Sequence, residues 1–79
     1  MQAVEKTFKE RLIDFTMYCR ERQFVLGPQE TRDAFEVAGR GWVLDRKLFQ
    51  YSLKAIYCKR KEHFDRFDEM FDRFWSRYY

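Results

Sequence analysis

The sequence has few of the residues that interrupt regular structure. Its 79 residues include three glycines and one proline. This scarcity weighs against a turn-rich β-sandwich, which needs a turn signal every ~8–12 residues. The hydrophobic share of 46% excludes a disordered linker. A chain of this length can form one domain around one small core.

Long apolar segments and metal-binding cysteine pairs are absent as well. No uncharged run approaches the ~20 residues that span a membrane, and charges interrupt residues 1–10, unlike in a secretory signal. Cys19 and Cys58 lack CxxC or Cys–His spacing, so we predict two buried, reduced thiols. We therefore expect no membrane contact, no metal or cofactor, and a cytoplasmic location.

Aromatic and charged residues are abundant. Aromatics make up 20% of the chain (9 Phe, 5 Tyr and 2 Trp), and 16 basic residues against 13 acidic ones give a net charge of +3. The first apolar residues recur in steps of four, four, three and four, which predicts a helix over residues 3–23. They are Val4, Phe8, Leu12, Phe15 and Cys19.

Glycine, proline and aspartate mark the limits of two further helices. Gly27-Pro28 ends the first helix and starts a second over residues 28–39, which stops at Gly39-Arg40-Gly41. Asp45 is a suitable N-cap for a third helix over residues 46–60. The apolar stripe of the third helix comprises Leu48, Phe49, Ser52, Leu53, Ile56 and Tyr57.

Two apolar connectors separate these helices. The first, Phe24 to Leu26, is short and follows directly on the first helix, so we expect it to pack into the core. The second, Trp42 to Leu44, could form a short strand, but the sequence offers no partner strand.

The last helix, predicted over residues 61–78, has the clearest pattern in the chain. Its aromatic residues fall within an arc of roughly 100° when placed on a helix. They are Phe64, Phe67, Phe71, Phe74, Trp75 and Tyr78. We predict an all-α fold, a compact bundle of about four helices that forms a single domain over residues 1–79.

No motif in the sequence indicates catalysis. A glycine-rich phosphate loop, GxSxG and HExxH are all missing. His63 has Glu62 and Asp65 as sequence neighbours, but these point elsewhere on a helix, so we predict a surface histidine. Asp65, Asp68 and Asp72 share one helical flank, yet acid–base work needs a walled pocket. We predict a solvated or docking flank and no enzyme.

Positive charge is concentrated in residues 46–61, which hold six basic residues and no acidic one. A basic helix can follow phosphates or lie in a major groove. However, the next helix is acidic, and the connector over residues 39–45 is long for a helix-turn-helix. The stripe favours a solvated face or an acidic protein partner, with nucleic acid as the alternative. Its members are Arg46, Lys47, Gln50, Lys54 and Lys61.

The aromatic end of the chain is a second candidate contact. Trp75, Tyr78 and Tyr79 come last, where three short helices leave little to pack against. An exposed cluster of this kind would be adhesive, so we predict contact with another domain, a partner or a second copy in a homodimer. The candidate partner-binding residues are Arg46, Lys47, Lys54, Lys61, Trp75, Tyr78 and Tyr79.

The run KEHFDRFDEMFDRFW, from Lys61 to Trp75, is the most distinctive segment. Together with the apolar-Gly-Pro stretch Val25 to Pro28 and the apolar-Asp connector Val43 to Asp45, it resembles the N-terminal helical region of CoxE-like VWA-domain proteins. Those proteins are partners of MoxR-type AAA+ ATPases. The resemblance covers about residues 8–75.

The resemblance implies a non-catalytic adaptor that works with a VWA domain and a MoxR-type AAA+ ATPase in remodelling or maturing a client protein. Members of the family continue into a VWA domain with a DxSxS metal-binding loop. No such motif occurs in these 79 residues, so the resemblance carries over no metal site. It would make the chain an N-terminal domain or a stand-alone relative.

Overall fold

The described part of the chain contains four helices joined by short connectors. The computed structural model describes residues 7–41 and 44–79. The helices are α1 (Phe8–Glu21), α2 (Pro28–Gly39), α3 (Arg46–Tyr57) and α4 (Lys61–Trp75). No strand occurs within these residues, and none of their helices has the length and apolar content that crossing a membrane requires. The predicted all-α bundle of four helices is confirmed.

Capping contacts fix both ends of α1 inside the predicted range of 3–23. Thr7 Oγ1 accepts the N–H of Glu10 at 3.2 Å, and the Glu10 carboxylate accepts the N–H of Thr7 at 2.8 Å, so a capping box starts the helix at Phe8. Residues 3–6 of the prediction lie outside the described residues. At the other end Gln23 takes a φ of 71°, and Phe24 N–H donates to Cys19 O at 3.1 Å, as in a Schellman turn.

The helices α3 and α4 each end earlier than their predicted limits of 60 and 78. Cys58 has an extended backbone, with φ −87° and ψ 122°. The N–H of Lys59 then donates to His63 Nδ1 at 3.0 Å instead of to a helical carbonyl. After Trp75 the chain forms a turn. By contrast, α2 spans Pro28–Gly39, the range that its glycines and proline indicate.

The core is a cluster of aromatic rings centred on Phe15 of α1. Phe15 is fully buried, and its ring centroid lies 5.1 Å from that of Phe74 and 5.9 Å from that of Phe71. Further rings around it belong to Tyr18, Tyr57, Phe67 and Trp75. Burying large rings is the main favourable term in a domain this small.

A buried hydrogen bond joins α1 to α3 inside this core. Thr16 Oγ1 donates to the carbonyl of Leu12 at 2.9 Å. Its single proton is therefore used, so the Tyr57 hydroxyl is the donor in the 2.7 Å bond between Tyr57 and Thr16. Burial raises the pKa of Tyr57, which keeps the phenol protonated as a donor.

Several apolar residues lie elsewhere than the sequence predicts. Phe64 was expected on the inner stripe of α4, but it is 45% exposed, and Met70 is buried instead. Phe24 and Leu26 pack into the core as expected, whereas Val25 between them points outward, because an extended connector alternates its sides. Of the second connector, Trp42 and Val43 lie outside the described residues.

We predict that the core tolerates loss of the Trp75 ring poorly but tolerates loss of its indole N–H. Its side chain has no exposed surface, and its indole N–H has no acceptor among the described residues. Trp75→Ala should lower the free energy of unfolding by about 3–5 kcal/mol. Trp75→Phe keeps a ring and removes an unpaired donor whose burial costs about 1–3 kcal/mol, so its loss should be much smaller. Urea unfolding of both variants measures this, and equal losses would contradict it.

Candidate interaction surfaces

The basic stripe of α3 and the acidic flank of α4 pair with each other. Arg46 donates to Asp72 Oδ1 at 2.7 Å, Gln50 Nε2 donates to Asp68 Oδ1 at 2.8 Å, and Lys54 Nζ donates to Asp68 Oδ2 at 2.9 Å. As the stripe ascends α3, its partners descend α4, so the two helices are antiparallel. Arg46 and Lys54, two of the predicted partner-binding residues, are therefore engaged within the domain.

These pairs lower the positive potential of the α3 stripe. The Lys54 hydrogen bond is the main reason that the pKa of Asp68 is lowered, and the same bond raises the pKa of Lys54. Each pair is half-exposed, so it contributes only about 0–1 kcal/mol to stability. The main effect of these pairs is electrostatic. Residues 46–61 contain no acidic residue, but α4 places a carboxylate beside Arg46 and beside Lys54.

Lys47 and Lys61 remain as exposed cations. Neither forms an ion pair with any of the described residues. Lys61 is the first residue of α4, where the positive end of the helix dipole disfavours a cation. A carboxylate supplied from outside would therefore be favourable at this position.

Trp75 is not part of the surface. It is fully buried, and its ring centroid lies 5.5 Å from that of Phe8 and 5.4 Å from that of Phe49. The expectation that it has nothing to pack against is wrong, because α1 and α3 both reach the end of α4. As a core residue, it has no surface to offer a partner.

Tyr78 and Tyr79 are half-exposed against basic side chains. The Arg11 guanidinium lies 5.5 Å from the ring centroid of Tyr78, and that of Arg46 lies 5.7 Å from Tyr79, which is cation–π distance. Partial burial raises the pKa of Tyr79 to about 12. Each tyrosine keeps 40% of its surface exposed and remains a candidate contact.

His63 is buried, and the predicted surface position is wrong. Its imidazole stacks on Phe24 with ring centroids 4.2 Å apart, and its Nδ1 accepts the N–H of Lys59 at 3.0 Å. The acceptor role of Nδ1 places the proton of the neutral ring on Nε2. His63 therefore joins the connector after α1 to the connector before α4. His63 lies one helical turn before Phe67, on the inner face of α4, and this period was the available signal for its burial. Its stacking partner Phe24 is remote in sequence and was not predictable from the pattern.

The cysteines are buried free thiols, as predicted. Burial raises the pKa of Cys19 to about 12 and that of Cys58 to about 11. Both thiols therefore stay protonated at neutral pH, which makes them poor nucleophiles. Among the described residues no three His, Cys, Asp or Glu side chains converge as metal ligands would.

An apolar groove of about 640 Å³ lies between the start of α1 and the end of α2. Its described lining consists of Phe8, Lys9, Phe35, Ala38 and Gly39. Lys9 is the one ionisable residue in this lining. The described residues thus supply no pair of titratable groups for acid–base chemistry there.

An apolar surface that is absent from the sequence predictions lies on the side of α3 that faces away from the core. Its residues recur in steps of four, three and four, and we call them the outer stripe: Leu44, Leu48, Tyr51 and Ala55. All are exposed. Leu48 had been assigned to the inner stripe, which consists of Phe49, Leu53 and Tyr57. A second helical period running beside the first was the available signal.

The helices and their surfaces define a small helical-bundle domain. The family model of the CoxE N-terminal helical bundle domain matches residues 12–78. The chain belongs to this family, and the resemblance noted in the run from Lys61 to Trp75 is confirmed. No curated protein and no solved structure matches the chain.

We predict that Glu30 makes stability depend on acid pH. Its carboxylate accepts the N–H of Gly27 at 2.7 Å and pairs with Lys59 Nζ at 3.0 Å. The Gly27 bond, followed by Lys59, lowers the pKa of Glu30 to about 2 from 4.5. Because the folded pKa is depressed, this stabilisation is present above the unfolded pKa and is lost as pH falls through about 2.

Urea midpoints measured from pH 7 to pH 2 test this dependence. Glu30→Gln should remove part of the fall in the midpoint below about pH 5. The matched control is Glu36→Gln, which changes an exposed carboxylate on the same helix and should leave the profile unchanged. Identical profiles for the wild type and Glu30→Gln would contradict the prediction.

The buried position of His63 is tested by three substitutions. His63→Phe retains a ring against Phe24 but leaves the Lys59 N–H without its acceptor, which should cost about 1–3 kcal/mol. His63→Asn can retain an acceptor but loses the stacked ring. His63→Ala loses both and should lower the free energy of unfolding the most. Urea unfolding gives the three values. If all three variants lost less than about 0.5 kcal/mol of unfolding free energy relative to the wild type, His63 would behave as a surface residue.

Proposed function

We propose that this domain is a non-catalytic adaptor. In this proposal it binds a VWA domain and a MoxR-type AAA+ ATPase, and the assembly remodels or matures a client protein. The observation that carries the proposal is membership of the CoxE N-terminal family over residues 12–78. A cytoplasmic location goes with it, because reduced cysteines such as Cys19 and Cys58 suit that compartment.

The surface chemistry supports a protein partner over nucleic acid. Affinity for nucleic acid comes from several cations that contact phosphates. Arg46 and Lys54 already have Asp72 and Asp68 as partners, so a nucleic acid would have to compete with these carboxylates. A protein partner can instead use the apolar and aromatic surface that α3 and the end of α4 expose.

The test is direct binding between purified components. The chain is titrated with the MoxR-type ATPase and with the VWA protein encoded in the same genome. We expect saturable binding of at least one, with a dissociation constant in the micromolar range that is typical of small transient interfaces. Absence of binding to either protein would refute the adaptor proposal.

A titration with duplex DNA at low and moderate salt is the control. We expect no salt-dependent binding, because Arg46 and Lys54 of the basic stripe already have carboxylate partners within the domain. Binding that weakens steeply with salt, together with no affinity for the two proteins, would favour the nucleic-acid alternative.

A further inference from the structure

The helix α3 has apolar residues on two opposite faces. Its inner face, Phe49, Leu53 and Tyr57, is fully buried. Its outer stripe includes Leu48 and Tyr51, which are 40% and 65% exposed. A surface helix normally carries polar residues on the side away from the core. A contiguous exposed apolar surface of this kind is typical of an interaction site.

Leu44 is the most exposed member of the outer stripe. It directly precedes Asp45, whose side chain caps α3 by accepting the N–H of Leu48 at 3.1 Å. An apolar residue in that position often folds back onto the fourth residue of the helix, here Phe49, as a hydrophobic staple. Leu44 is 89% exposed instead, so its side chain extends the outer stripe beyond the helix.

The apolar surface continues from α3 onto α4. Lys54 lies one turn from Tyr51, and its Nζ stands 6.0 Å from the ring centroid of Phe64. Phe64 is the aromatic residue of α4 that the core leaves half-exposed. The aliphatic stem of a lysine can cover apolar surface while its charge remains in water. Tyr51 and Phe64 are thereby linked through Lys54.

Cations lie along the edge of the outer stripe that faces α4. Lys47 and Lys54 are two helical turns apart on one side of α3, and Lys61 lies one turn before Phe64 on α4. Lys54 has Asp68 as its partner, whereas Lys47 and Lys61 pair with none of the described residues. This positive border therefore holds one paired lysine, Lys54, and two, Lys47 and Lys61, that are unpaired within the described part of the chain.

We propose that the outer stripe and Phe64 are the docking surface for an acidic amphipathic helix of a partner protein. Apolar side chains of such a helix would cover Leu48 and Tyr51, and its carboxylates would meet Lys47 and Lys61. The inference rests on the proposed function in one respect, that the partner is a protein. It names the surface and the chemistry of the segment that binds there.

The positive border argues against a second copy as the occupant. If two α3 helices packed antiparallel through their outer stripes, a two-fold axis would keep both borders on the same side. Lys47 of one copy would then approach Lys54 of the other, whose carboxylate partner Asp68 is already bound, so Lys47 would gain no free carboxylate. A parallel pairing would align the two helix dipoles unfavourably. A segment with carboxylates avoids both penalties.

Two synthetic helical peptides of equal length serve as probes. Both carry leucines along one face, and the flanking positions are glutamate in one peptide and lysine in the other. In amide NMR spectra of the chain, the glutamate peptide should shift resonances of residues 44–55 and 61–64. The lysine peptide should bind about tenfold more weakly or worse, because attraction at several positions is replaced by repulsion.

Three variants show whether the peptide uses this surface. Tyr51→Glu and Lys47→Glu should each weaken binding of the glutamate peptide at least fivefold, through lost apolar contact and reversed charge respectively. The matched control is Met17→Glu, which alters an equally exposed apolar residue on α1 and should leave binding unchanged. Equal affinity for both peptides, shifts confined to other residues, or loss of binding in the Met17 variant would overturn the proposal.

The docking surface and the adaptor proposal fail in different ways. If the glutamate peptide binds at α3 but neither the ATPase nor the VWA protein does, the adaptor proposal fails and the surface stands. If one of those proteins binds the Tyr51→Glu chain as tightly as the wild type, the proposed surface fails and the adaptor proposal stands. Self-association that Tyr51→Glu abolishes would replace the acidic segment with a second copy.

Discussion

Phe15 lies fully buried among aromatic rings contributed by α1, α3 and α4. Four short helices of this size cannot each stabilise themselves in water, so their packing against one another supplies the stability. Rings of this size also set the separation between α1 and α4, because the centroids of packed rings lie about 4.5–7 Å apart. The faces that α1, α3 and α4 turn towards solvent follow from this cluster.

The orientation of α3 is the main consequence of that packing. Phe49, Leu53 and Tyr57 face the ring cluster. This fixes the rotation of α3 about its own axis and therefore the direction in which its other sides point. One side meets the carboxylates of α4, and the side that faces away from the core carries Leu48 and Tyr51 into solvent. The rotation of α3 about its axis therefore determines both the charged surface and the apolar surface.

The connectors are held by a smaller set of polar and stacking contacts. Lys59 supplies its N–H to His63 and its ammonium group to Glu30, and His63 stacks on Phe24. These contacts join the connector after α1, the start of α2 and the connector between α3 and α4. They also account for the early end of α3, because the Lys59 N–H has a side-chain acceptor in place of a helical carbonyl. Side-chain acceptors often replace the missing backbone partners at helix ends.

What the sequence by itself determined is local. The spacing of Phe67, Phe71 and Phe74 identifies α4 and its inner side, and Gly27-Pro28 and Asp45 mark the starts of α2 and α3. Helical period and capping depend on residues within a few positions of one another, so they can be predicted from the sequence alone. The run from Lys61 to Trp75 also pointed to the correct family for the same reason.

Only the tertiary structure decided which of these local features are covered. Trp75 is buried because α1 and α3 reach it, His63 because Phe24 stacks on it, and Leu48 is exposed because Phe49 occupies the inner face. The pairing of Arg46 with Asp72 likewise depends on α3 and α4 being antiparallel neighbours. Burial and charge pairing are properties of contacts between residues distant in the sequence, and a local pattern contains no information on the neighbour that makes the contact.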